Sequence, residues 1–243
     1  MDKPAPPATD AGEDSARARS GANAEPGATR PAAWIAPLAY GFFGLLAAGA
    51  LAFAAALAPF QAQHLLANLS MSPTIEPSDS FLVSRLAYLR SPPQRGDVIV
   101  FAVAPRDNGK RYYAGRIVGV PGDRVQLVAS RLQLNGRAVA REPVRPPGAP
   151  GADSPSYRNS FRETLPGGAS YEIYDAFDDA AGDDTAAYPV PHGCYFVLGD
   201  NRDNAVDSRD AHTIGCVPRA AIVGQASYIY DAIWRPRVGR KIR

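Results

Sequence analysis

The sequence predicts a mostly β protein preceded by one N-terminal transmembrane helix, and three observations predict it. No residue from Pro31 to Ile75 carries a formal charge. Within that stretch "APLAYGFFGLLAAGALAFAAALAPF", Ala36 to Phe60, exceeds the roughly 20 apolar residues needed to cross a ~30 Å hydrocarbon core. Beyond it come short runs such as "GDVIVFAV", "RYYAGRIVGV", "DRVQLVASRLQLNGRAVA", "SYEIYD", "CYFVLGD" and "AIVGQASYIY". Several alternate apolar and polar residues between Gly, Pro or Asp, as half-buried antiparallel strands do. No amphipathic helical pattern follows residue 65.

Residues 1–32, rich in Pro, Ala, Gly and mixed charge, read as a disordered tail. Residues 33–60 read as the membrane anchor. A buried core helix would be shorter with polar flanks in register. A cleavable signal would have an apolar region of roughly 7–15 residues, although "AALA" (Ala55 to Ala58) resembles a small-residue cleavage site. Arg17, Arg19 and Arg30 precede the span, and no basic residue follows it before Arg85. That asymmetry puts the N-terminus in the cytoplasm and residues 61–243 outside it, in a single-pass inner-membrane topology.

In the outer region, "LNGR" (Leu134 to Arg137) is an Asn-Gly hairpin signal. "REPVRPPGAPGADSPS" is a Pro/Gly loop, and "YDAFDDAAGDDTAAYPVP" is an acidic one. Both fall in a smaller insert over about 124–192. The acidic group (Asp175, Asp178, Asp179, Asp183, Asp184) matches no calcium-loop spacing, so it reads as solvated and no metal is expected. Cys194 and Cys216 lie on the side where disulfides persist; a bridge and two buried thiols both fit. A net charge of +2 gives no argument for a nucleic-acid partner.

Three further segments carry chemistry: "SMSPTIEPSD" from Ser70, "YYAGRIVGVPGDRV" from Tyr112 and "GDNRDNAVDSRDAHTIGCVP" from Gly199, with "RGDVIVF" between the first two. Their order and their position after an N-terminal span resemble the type I signal peptidase family. "RETLPGGASYEIYD" and the late "VGQA" extend the likeness over most of residues 60–230. The resemblance implies a membrane-anchored serine endopeptidase with an antiparallel β catalytic core and a smaller inserted β region. Its substrates would be preproteins cut after a small residue, and it would use no cofactor. It implies Ser70 as nucleophile, with the Ser70 N–H and Asn68 as oxyanion donors; Asn68 stands where the family commonly has serine, and its amide can also donate. Arg116, Asp207 and Arg209 take supporting positions.

The sequence departs from the family where the proton goes. Gly115 occupies the lysine position before Arg116, and Ala205 occupies that of the serine orienting the lysine. A serine hydroxyl is a weak nucleophile without a positioned base, and losing general-base help costs about 10²–10⁴-fold. The chain has only three lysines. Lys3 is in the tail, Lys241 is near the C-terminus, and Lys110 lies five positions before Gly115, roughly 16 Å along an extended strand and on its opposite face. No base is identified; His212 is the candidate substitute, ahead of His64. Two rivals follow: a pseudopeptidase that binds signal-peptide-like segments or a peptidase partner, and a specialised processing peptidase with a dedicated substrate such as a pilin. The basic end "WRPRVGRKIR" fits either contact with anionic membrane lipid or a solvated tail.

Overall fold

The computed structural model describes residues 35–57, 60–64, 69–103, 109, 111–144, 159–177, 180, 182–233 and 235–243. The tail expected over 1–32 lies outside them. Residues Met1–Leu51 and Ala52–Arg243 form separate compact units.

The helix α1 (Ile35–Leu57) has 23 residues and no acidic or basic residue at either end. The side chains described in it, residues 41–54, are all exposed, Phe42, Leu45 and Leu51 among them. That part rises about 21 Å at ~1.5 Å per residue. Among the described residues no helix is long and apolar enough to cross a membrane, so the span expected over 33–60 is not shown.

The other unit is antiparallel β, as the alternating runs predict. Its chain enters through β1 (Phe60–His64), β2 (Ser80–Ser84), β3 (Val98–Val103) and β4 (Arg111–Gly119). Seven short strands follow: β5 (Arg124–Val128), β6 (Arg131–Leu134), β7 (Arg137–Ala138), β8 (Ala140–Pro143), β9 (Ser160–Thr164), β10 (Ser170–Tyr174) and β11 (Tyr188–Pro189). The chain then returns through β12 (Cys194–Leu198), β13 (Val217–Pro218) and β14 (Ile222–Asp231). The first four strands and the last three form one seven-stranded sheet, ordered β1-β2-β14-β3-β4-β12-β13. The intervening strands make two smaller sheets, β10-β9-β8 and β11-β5-β6-β7. Every pairing between these strands is antiparallel.

Side-chain alternation explains where the core sits. In β3, "VIVFAV", Val98 and Val100 join a cluster with Met71, Ile75 and Phe81, while Ile99 and Phe101 join another with Ile117 and Val197. Successive side chains on a strand leave by opposite faces, so β3 is apolar throughout because both its faces are covered. By contrast "RVQLV" in β5 buries only Val125 and Leu127 deeply. The Asn135-Gly136 pair turns β6 into β7 with positive φ at both residues (54° and 76°), the backbone that favours these two residue types in tight hairpins.

Cys194 and Cys216 are joined in a disulfide across a separation of 22 residues. The bridge closes the loop between neighbouring strands β12 and β13, which pair as Cys194 with Pro218 and Tyr195 with Val217. Closing a loop of that length restricts the unfolded chain by about 3 kcal/mol. Reduction, or the double substitution Cys194→Ser/Cys216→Ser, is expected to lower unfolding stability by about that amount, checked by urea melts with and without reductant.

Candidate active site

Ser70 sits in a single 3₁₀ turn, Leu69–Met71, with both Ser70 and Met71 buried. The turn packs against β4 and against a second 3₁₀ turn, Arg202–Asn204. The Ser70 carbonyl accepts a hydrogen bond from the Asn201 N–H at 3.0 Å. Apolar Met71 and Ile75 anchor the loop in the core, and the Ile75 N–H donates to the Met71 carbonyl.

Polar contacts hold the remainder of this loop from two sides. Arg116 on β4 donates through Nε to Asp200 Oδ1 at 2.7 Å and through Nη2 to Asp200 Oδ2 at 2.6 Å. Its Nη1 reaches the Gly96 carbonyl at 2.8 Å, and the Thr74 hydroxyl donates to Asp200. The guanidinium lies 3.9 Å from the centre of the Tyr171 ring. Burial alone would push Arg116 down, but Asp200 more than offsets it and holds the guanidinium above its ordinary value. On the other side Arg237 donates to the Pro73 and Thr74 carbonyls at 3.3 and 3.0 Å and pairs with buried Asp79. Asp79 in turn accepts the Glu76 N–H at 2.9 Å.

The turn after β12 is fixed the same way. Arg202 forms a double hydrogen bond with Glu163, which also accepts from the Tyr171 hydroxyl. Burial, reinforced by Glu163, pushes that hydroxyl well above its usual range. Asp207 accepts the Gly199 N–H at 3.0 Å and pairs with Arg209 through two contacts at 2.9 Å. Arg209 also donates to the Arg202 carbonyl.

Gly115 and Ala205 lie within this arrangement. A Cβ on Gly199 would come 2.5 Å from the Ser70 carbonyl oxygen and 2.3 Å from the Ala205 Cβ. Only glycine lets the Ser70 loop and Ala205 meet there. Gly115 directly precedes Arg116, whose cross-strand partner is Leu198, the neighbour of Gly199. A Cβ on Gly115 would find Val197 atoms at 3.2 and 3.3 Å and Phe101 Cε1 at 3.5 Å. The space beside Gly115 is therefore walled by apolar groups. A primary amine between such walls loses solvation of its charged form, which favours the neutral base.

Of the remaining expected groups, Asn68 and Lys110 lie outside the described residues. Lys241 is exposed and bridges to Tyr228. His212 is exposed in a turn where its N–H donates to Asp210 at 2.9 Å. No described contact joins it to Ser70. The side chain of His64 is not among those described. Sequence reasoning missed Asp79, Glu163, Asp200, Arg202 and Arg237. Asp200 and Arg202 stood in plain view in "GDNRDN" but looked like turn residues. Arg237, in the basic end that the sequence reads as lipid-facing or solvated, instead buries its guanidinium against Asp79.

Comparison with known proteins gives one family. The model described as "Signal peptidase, peptidase S26" matches residues 40–234. The signal peptidase I of Rickettsia typhi is 38% identical over 144 residues, covering 57% of this chain and 52% of that protein. That of Rickettsia canadensis is 35% identical over 144 residues, with the same coverages of 57% and 52%. The chain thus spans about half the length of the curated relatives it matches. A crystal structure of a signal peptidase I from Enterococcus faecalis is 28% identical, with a TM-score of 0.32, covering 56% of this chain and 97% of that one.

Removing one partner of a buried ion pair strands the other, at about 3–5 kcal/mol. Arg237→Ala is expected to destabilise the protein by that amount, whereas Arg162→Ala, in a pair whose side chains are 54% and 42% exposed, should cost about 0–1 kcal/mol. Parallel urea melts check the contrast.

Proposed function

The chain belongs to the signal peptidase family, peptidase S26, and from that membership we propose that it is a serine endopeptidase that removes signal peptides from secreted preproteins. Ser70 is the nucleophile, and its own N–H with the Asn68 amide forms the oxyanion site. The observation that carries the reading is the convergence at Gly199 of the Ser70 carbonyl, the Ala205 side chain and the Asp207 carboxylate. That convergence keeps a serine loop in one place within buried, hydrogen-bonded surroundings, the preorganisation acyl transfer requires.

The remaining parts of the proposal follow from chemistry. The substrate segment lies extended along a strand edge, with a small residue before the scissile bond. The apolar segment over 33–60 anchors the chain in the inner membrane, with the N-terminus cytoplasmic and the β unit outside. Membrane lipid is thus a partner, and nucleic acid is not. The exposed apolar side chains of α1 support the anchor, because such a surface needs a nonaqueous neighbour. Arg116, Asp207 and Arg209 position the site.

Gly115 and Ala205 support a second reading, a binder of signal-peptide-like segments that does not cut. Without a lysine at the first position and a hydroxyl at the second, Ser70 keeps its proton unless another base such as His212 takes it.

We expect slow preprotein cleavage by the detergent-purified chain, abolished by Ser70→Ala and accelerated about 10²-fold or more by Gly115→Lys/Ala205→Ser. An inert parent alongside an active double variant would establish the binder instead. Inertness of both would refute the assigned site.

A further inference from the structure

A second polar centre gathers beside the turn after β12. Asp175 follows β10, Asp183 lies eight positions further on, and Asp203 belongs to the 3₁₀ turn after β12. Each brings a carboxylate oxygen within 4.8 Å of the other two. That separation is what two ligands on opposite sides of a cation would show at ~2.4 Å each, within the range of calcium–oxygen distances.

The cluster alone would carry nothing, since acidic groups often gather without a ligand. A second observation points to one. The Asp175 side chain is only 5% exposed. Its Oδ2 is occupied by Arg141 at 2.6 Å, but its Oδ1 is buried with no hydrogen-bond partner among the described residues. Asp203 repeats the pattern. Its Oδ2 accepts the Ala176 and Phe177 N–H groups, and its Oδ1 is likewise buried without a partner among those residues. Asp183 is 4% exposed and accepts the Ala180 N–H at 2.7 Å through Oδ2. Leaving a charged oxygen buried and unsatisfied is costly.

Charge balance argues for a divalent ion. Among the nearby cations, Arg202 is committed to Glu163 and Arg209 to Asp207. Among the described residues, Arg141 is the cation paired directly with the cluster, at Asp175, so the three carboxylates outnumber it. We propose that Asp175, Asp183 and Asp203 bind one divalent cation of the calcium type. All three donors are carboxylate oxygens with neither thiolate nor imidazole among them, the set preferred by a hard cation over zinc. Burial pushes the Asp175 carboxyl above its usual range against the pull of Arg141, and the Asp203 charge adds to the rise. A cation would relieve that repulsion.

The ion joins parts of the chain that sequence spacing does not connect. Calcium loops are recognised by ligands close together in sequence, whereas Asp203 comes from another segment. Of the other acidic residues in the loop, Asp178 and Asp179 lie outside the described residues. Bound here, the cation would fasten the acidic loop to the turn whose Asn201 N–H holds the Ser70 carbonyl.

The test is calcium titration of the purified full-length chain, followed by calorimetry and by thermal unfolding. EGTA-treated protein, magnesium chloride and sodium chloride of matched ionic strength serve as references. Calcium at a hundredfold excess over its Kd is expected to raise Tm by about 5 °C or more. Asp183→Asn and Asp203→Asn should each weaken calcium binding at least about tenfold. The parent titration decides the matter even where a variant fails to fold. Absence of binding heat together with a Tm shift no larger than that from sodium chloride would overturn the proposal. So would an Asp203→Asn protein that is more stable in EGTA and still binds calcium as the parent does.

Discussion

Arg116 and Asp200 are both almost completely removed from solvent, and the architecture around Ser70 depends on their pairing. Two charges taken out of water repay their lost hydration only when every polar atom finds a partner in good geometry. Asp200 finds Arg116 and Thr74, while Arg116 finds Asp200, the Gly96 carbonyl and the face of Tyr171. These partners come from the Ser70 loop, the turn before β3, β4, β10 and the turn after β12. Satisfying one pair therefore forces five segments to converge. The value of such a pair lies less in net stability than in the arrangements it forbids, because any displacement leaves a bare charge.

The same rule distinguishes the buried ion pairs from positions 115 and 205. Glu163, Arg202, Asp207, Arg209, Asp79 and Arg237 all belong to buried or nearly buried pairs, so losing one would leave its partner stranded. Gly115 and Ala205 are different. A glycine beside Val197 and Phe101 faces an apolar wall. The alanine tucked against Gly199 is itself apolar. Proton-accepting groups are removable at little structural cost, whereas the arrangement that positions the serine is not. Glycine at position 115 and alanine at position 205 are thus compatible with an intact surround.

How much could be read from the sequence follows from how local each signal is. "RVQLV" declares a one-sided strand and "LNGR" a hairpin because period and turn chemistry are properties of a few adjacent residues. The order of the Ser70, Tyr112 and Gly199 segments carried the family. The Arg237–Asp79 pair could not be read, since its members are separated by 158 positions and a buried arginine looks like a solvated one until topology supplies a carboxylate. Glu163 and Arg202 were hidden for the same reason. The cysteines stood open between bridge and thiols until the pairing of β12 with β13 brought their loop closed. Gly199 looked like an ordinary turn glycine; its need to lack a side chain arises from the Ser70 carbonyl, far off in sequence.

The turn after β12 faces two ways, and this makes it the mechanical centre of the unit. On one side Asn201 holds the Ser70 carbonyl and Gly199 admits it. On the other Asp203 holds the Ala176 and Phe177 N–H groups, and Tyr174 bridges to Asn201. Only two positions separate Asn201 from Asp203, and Arg202 between them is pinned by Glu163. A short segment fixed at its middle has little freedom to move one end without the other. Order imposed on the Asp203 carboxylate is therefore carried by covalent geometry to the backbone that holds the Ser70 carbonyl, with no longer chain of side chains required.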